Sequence, residues 1–214
     1  MVQNPNAREE RAARAAALRK QQQRKERRQR NVVVGVSSGV VVLLAAAVAT
    51  VLVTTREETA AEQEALQAPI EGLLALPEDQ LTQNHVPGAV EYPTTPAAGG
   101  DHNAVWLNCG VYTEPVVEEN VVHSLEHGAV WMTYDPSLPT EQLDQLLTAA
   151  EPYDYIVLSP YEGMDSPITL SAWGSQLALE DAGDERIAPF LSQFVQGEQS
   201  PEPGAACTGG LTGA

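Results

Sequence analysis

"VVHSLEHGAVWMTYDP", residues 121–136, holds two of the chain's four histidines and its clearest strand signal. His123 and His127 stand four apart, with Glu126 between them. Gly128 follows at once, and from there Val130, Met132 and Tyr134 alternate with Ala129, Trp131 and Thr133. The alternation predicts a strand over 128–135 that is partly buried on both faces. A short helical turn should lead into it, with Gly128 as the exit, because helices commonly end through a left-handed residue.

Downstream, "PSLPTEQLDQLLTAAE" (136–151) predicts an amphipathic helix, with Thr140 as its N-cap and Leu143, Leu146 and Leu147 on one face. "YDYIVLSP" (153–160) and "SPITLSAWG" (166–174) predict two further strands, the second bounded by Pro167 and Gly174. "DERIAPFLSQFVQG" (184–197) predicts a second helix: Asp184 caps it, Ile187, Phe190, Leu191 and Phe194 form its apolar stripe, and Gly197 stops it. Upstream, "AVWLNCGVY" (104–112) predicts a strand broken at Cys109-Gly110. Together these elements predict an α+β domain over residues 101–214, a small mixed or antiparallel sheet with two packed helices. A βαββα core with mixed pairing also fits a thioredoxin-like arrangement, and pattern alone leaves both open.

The rest of the chain divides by charge. Residues 1–30 carry ten Lys and Arg against three acids, a net of +7. Residues 31–214 carry two Arg, no Lys and 26 acids, a net of −24. Between the halves, residues 32–53 form a run of 22 without one charge. As a helix that run is roughly 33 Å long, enough for a hydrocarbon core of about 30 Å. It is longer than the apolar core of a cleaved signal peptide and follows some thirty polar residues. We read residues 31–54 as a single transmembrane helix with the basic segment 1–30 on the cytoplasmic side, the lipid bilayer as its partner, and the remainder extracytoplasmic. Residues 54–66, rich in Ala and Glu, predict a helical extension. Residues 67–100, with Pro69, Pro77, Pro87, Pro93 and Pro96, predict an extended arm that lies on the domain and contributes His85.

Cys109 and Cys207 are the two cysteines, both in the expected oxidising compartment, and most simply form one disulfide. No C-x-x-C motif is present. The acidity of the outer half disfavours nucleic acid as a partner, and no phosphate-binding glycine loop and no G-x-S-x-G occurs.

The chemistry therefore rests on the histidines. H-S-L-E-H formally matches the inverted zinc-peptidase pattern, but the immediate Gly128 and the following strand leave room for only one or two helical turns. Metal binding without proteolysis fits better. His123 and His127 at i,i+4 can meet one ion, His102 can fold back on the Gly99-Gly100 pair, and His85 can come from the arm. Imidazole suits Zn or Cu, and Met132 or Met164 could add a soft ligand for Cu(I). Glu126 directly precedes His127, so it is expected to orient a ligand or act as a catalytic base rather than bind the ion. Two other readings stand beside this one: a structural histidine cluster bonded to carboxylates, and acid–base catalysis. Trp106, Trp131 and Trp173 read as packing residues, and Glu118-Glu119 as solvated.

Four motifs occur in order: W-x-x-C-G-x-Y (106–112), V-H-S-L-E-H-G-A-V (122–130), L-S-A-W-G (170–174) and P-E-P-G-x-x-C (201–207). Over about residues 66–210 the chain resembles the actinobacterial family called domain of unknown function 3105. The resemblance implies a membrane-anchored extracytoplasmic domain built around the H-S-L-E-H-G segment, with no established activity. Family members often carry P-P-x-S-G-x-H, where this chain reads "PTTPAAGGDH": His102 fits, the serine and one proline do not. Besides metal binding, the function classes left open are a non-catalytic accessory domain partnered with another envelope protein, and a small hydrolase.

Overall fold

The computed structural model describes residues 19–31, 56, 59–61 and 63–213. Residues 19–31 are helical and exposed. Of the expected membrane span, residues 31–54, all but residue 31 lie outside the described residues, among which no helix is long and apolar enough to cross a membrane. Residues 63–213 fall within one compact unit, the expected arm included.

The unit is a mixed α+β fold around one six-stranded sheet. Its strands are β1 (Leu74–Ala75), β2 (Gly110–Val111), β3 (Val130–Tyr134), β4 (Ile156–Pro160), β5 (Ile168–Ala172) and β6 (Ser175–Leu179), in spatial order β1-β6-β5-β3-β4-β2. β3 runs parallel to β4 and β4 to β2; the β3–β5, β5–β6 and β6–β1 pairs are antiparallel. Three α-helices pack on it: α1 (Glu118–Glu126), α2 (Thr140–Ala150) and α3 (Ile187–Phe194).

Three helices rather than two follow from β3 being buried on both faces. Val130 and Met132 join Leu146 of α2 and Phe190 of α3 in one apolar cluster. Trp131 points the other way and joins Val121, Val122 and Leu125 of α1 in a second. Strand alternation delivers the two sets to opposite faces. α1 was expected to be one or two turns and is nine residues long. The β3–α2–β4 and β5–β6–α3 segments place both of their helices against one face. β6 is an additional strand beyond those expected: Ala172 and Ser175 are opposite partners, so Trp173-Gly174 is a two-residue hairpin loop and not a strand end.

The expected strand at 104–112 shrinks to Gly110–Val111 because its backbone is used elsewhere. Leu107 N donates to Asn120 O, Asn108 N to Leu211 O and Cys109 N to Cys207 O. Neither expected cap holds. Pro139 precedes α2 where Thr140 was expected, and Arg186 precedes α3 with Asp184 bonded to the Arg186 backbone and guanidinium.

The arm is stitched down along its length. β1 pairs with β6, Leu76 N donates to Gly174 O at 2.9 Å, and Gly174 N donates to Ala98 O at 2.6 Å. Glu118 and Glu119 take part, contrary to the expectation that they are solvated: their carboxylates accept from Ala97 N at 2.6 Å and Val90 N at 3.0 Å. Two acids in the first turn also face the positive end of the helix dipole.

Candidate metal centre

α1 positions the site. Counting from His123, a residue three on lies about 60° back around the helix and one four on about 40° forward. Glu126 and His127 therefore flank His123 on opposite sides, and which of them shares its neighbours depends on what lies beside the helix. The arm lies on the Glu126 side. His85 and His102 form a parallel bridge, with Val86 N donating to His102 O at 2.8 Å and His102 N to Asn84 O at 3.0 Å. Gly99 and Gly100, at φ of 133° and 114°, carry the backbone through a region closed to L side chains and bring His102 under α1.

One nitrogen of each of His85, His102 and His123 and one carboxylate oxygen of Glu126 lie within 4.8 Å of one another. Ring centroids are 4.8 Å apart for His85–His123 and for His102–His123, and 5.0 Å for His85–His102. His102, His123 and Glu126 are buried, while the His85 side chain is 49% exposed.

His127 is turned to the other side. Its ring meets the His123 ring edge-on at 4.6 Å, its Nδ1 lies 2.7 Å from Ala206 O, and its Nε2 lies 3.8 Å from Glu202 Oε2. Spacing pairs His127 with His123 and sets Glu126 outside the ligand set; the structure brings Glu126 into the group with His85, His102 and His123, and leaves His127 beside it. The missing signal was the i,i+3 relation, which is as close on a helix as i,i+4. Trp173 stands edge-on to His102 at 5.9 Å, and Trp106 lies 5.8 Å from His123 and 5.2 Å from His127, so two tryptophans wall the cluster while Trp131 is core.

The hydrogen bonds fix which nitrogens are free. Nδ1 of His102 lies 2.8 Å from Gly100 O and Nδ1 of His123 lies 2.7 Å from Asn103 O. A carbonyl only accepts, so each Nδ1 carries the proton and each neutral ring presents a bare Nε2. Nε2 of His102 faces Glu126 Oε2 at 3.1 Å, yet no partner satisfies it with hydrogen-bond geometry. A proton shared between the two, or a metal ion, satisfies both atoms at that distance.

The titration behaviour agrees. Burial lowers the His102 pKa, but the Glu126 carboxylate and the Gly100 carbonyl outweigh it and the net shift is upward. Burial raises that of Glu126, but the His102 contact and the surrounding imidazoles bring it below the usual range. Burial pushes His123 down to about 4, with His127 and His102 adding to the effect and the Asn103 carbonyl opposing it.

Three imidazole nitrogens and one carboxylate oxygen suit a borderline divalent ion such as Zn²⁺ or Cu²⁺. Neither candidate thioether is near. Met132 is sealed in the apolar cluster on the other face of the sheet, and Met164 lies beside Asp135 and Ser166, past the opposite end of β3.

Cys109 and Cys207 are paired, with Cα atoms 5.3 Å apart. The pair ties the 198–211 tail to the segment before β2, and the tail itself reaches the end of α1: Glu202 N donates to Glu126 O at 3.0 Å, and Ala206 supplies the carbonyl that holds His127.

A family model described as "Protein of unknown function (DUF3105)" matches residues 85–209, a span that contains all four histidines, Glu126 and both cysteines. The chain belongs to that family. No curated protein and no solved structure matches it. For a DUF3105 protein, then, the site's chemistry has to come from the geometry itself. Its matched span starts at the exposed histidine and ends just beyond the disulfide.

Proposed function

We propose that this DUF3105 domain is a divalent metal-binding module, with His85, His102, His123 and Glu126 as ligands for Zn²⁺ or Cu²⁺. One observation carries the reading: a nitrogen of each of His85, His102 and His123 and an oxygen of Glu126 converge within 4.8 Å of one another, with His102 Nε2 and Glu126 Oε2 at 3.1 Å. Around a tetrahedral Zn²⁺ with bonds of about 2.0–2.1 Å, ligand atoms lie roughly 3.3 Å apart. The present spread of up to 4.8 Å therefore calls for a contraction of about 1.5 Å.

We further propose that the module faces outward from a cell membrane on a single-pass anchor, with a cytoplasmic N-terminus. The uncharged run 32–53, the basic flank before it and the paired cysteines after it support this placement. Neutral imidazoles are available as ligands near pH 7 on that side.

The test is titration of the metal-free, full-length chain with Zn²⁺ and with Cu²⁺, followed by calorimetry and elemental analysis after desalting. One tightly bound ion per chain is expected, lost in His102→Ala and in Glu126→Ala, while His127→Ala retains it. A chain that holds no stoichiometric ion leaves a structural His–Glu cluster in place of a metal site.

A further inference from the structure

Resting on the metal reading above, we propose that the ion is exchangeable cargo, taken up and surrendered at the His85 rim by ligand substitution, and not a structural ion sealed into the fold. Structural zinc sites are closed, and the domains that depend on them fold only with the metal. This domain has other means: two apolar clusters on opposite faces of its sheet and a disulfide spanning 98 residues.

The ligands form a gradient of access. His102 is fully buried, His123 and Glu126 are each 4% exposed, and the His85 side chain is 49% exposed. The two buried imidazoles are locked from behind by their Nδ1 bonds to Gly100 O and Asn103 O. Glu126 is fixed by the last turn of α1. His85 lies 4.0 Å from Glu126 Oε2, stacks on the His123 ring and is open to solvent. It is the ligand that an incoming donor can reach and replace. In that step the bond from Nε2 of His85 to the ion breaks as a bond from the incoming nitrogen or sulfur donor forms. The ion stays divalent, and no electron moves.

The charge of the domain suits the same task. Residues 63–213 contain 23 Asp and Glu against one Arg and no Lys. Such a field concentrates cations near the surface and disfavours acidic partners. The acceptor that fits is therefore a neutral or basic carrier that presents nitrogen or sulfur donors.

Exchange kinetics decide the point. The full-length chain in detergent, loaded with one equivalent of Zn²⁺, is mixed with increasing excess of the colour-forming chelator 4-(2-pyridylazo)resorcinol. The expected release rate rises in proportion to chelator concentration, as attack at an open rim requires. A rate independent of chelator concentration overturns the inference while leaving the metal site intact. A chain that takes up no Zn²⁺ overturns the metal reading and this inference with it. As a second check, His85→Ala should weaken Zn²⁺ binding roughly tenfold or more without changing thermal unfolding of the metal-free chain. Unchanged affinity removes His85 from the site and overturns the proposal.

Discussion

Gly128 and Gln196 hold each other's backbone: Gln196 N donates to Gly128 O at 2.9 Å, and the Gln196 side chain closes over Gly128 to donate to His127 O at 2.7 Å. Gly128 sits at φ 96°, and a Cβ there would run into the Gln196 amide. Both the conformation and the space exclude a side chain. Gly128→Ala should destabilise the domain by about 1–3 kcal/mol, from the backbone strain and the displaced amide. Chemical denaturation measures it; stability within about 0.5 kcal/mol of wild type would contradict the account.

Acid should act on the metal-free domain through His123. Its folded pKa of about 4 lies below the ordinary 6.5, so between those values the unfolded chain holds a proton that the folded chain does not. Stability from this residue is complete above about pH 6.5 and drains away toward pH 4, by up to about 3 kcal/mol. His102 works in the opposite sense, since its raised pKa adds stability below 6.5 that is lost as pH rises through the folded value. The two separate by difference. His123→Asn keeps an amide near Asn103 O and does not titrate, so its stability gap to wild type should narrow as pH falls from 7 to 4. A constant gap in urea denaturation across that range would sink the assignment.

Removing the disulfide should loosen the tail before it unfolds the core. The Cys109–Cys207 pair closes a loop of 98 residues, and its loss costs about 2–5 kcal/mol. In a Cys109→Ser, Cys207→Ser variant, amide exchange should quicken first over residues 198–211 and the last turn of α1, which the tail's backbone bonds hold. Equal acceleration in β3 and β4 would show that the tail has no separate hold on the helix.

The proposed topology has a direct assay. In intact cells a membrane-impermeant maleimide should label a Glu64→Cys variant and leave Gln21→Cys unlabelled until lysis. The reverse pattern would invert the orientation, and labelling of both would remove the membrane barrier between them.

Much of this fold is written locally in the chain. The alternation in β3 and the Leu143–Leu146–Leu147 face of α2 are periodic signals that tertiary structure had only to accept. β6 was not legible in this way, because Ser175 and Gln176 are polar residues buried by particular partners: Gln176 donates to Pro96 O and to Ser171 Oγ. The site was legible in kind and incomplete in membership. Histidine spacing pointed to α1, and the proline-rich arm pointed to His85. That Glu126 would join them depended on where the arm docks, which is set by Glu118 and Glu119 reaching Ala97 N and Val90 N across the fold. Nothing within five residues of Glu126 records that.

The hold on α1 also sets when the cluster can exist. The nine-residue helix is gripped by the chain up to residue 90, through Val90 N on Glu119, and by the chain after residue 200, through Glu202 and Ala206. Contacts of such long sequence separation form late and slowly. A newly made chain carries four scattered imidazoles until both ends have closed on the helix. Tight ion capture would then mark a finished molecule, and a half-made one would let the ion go.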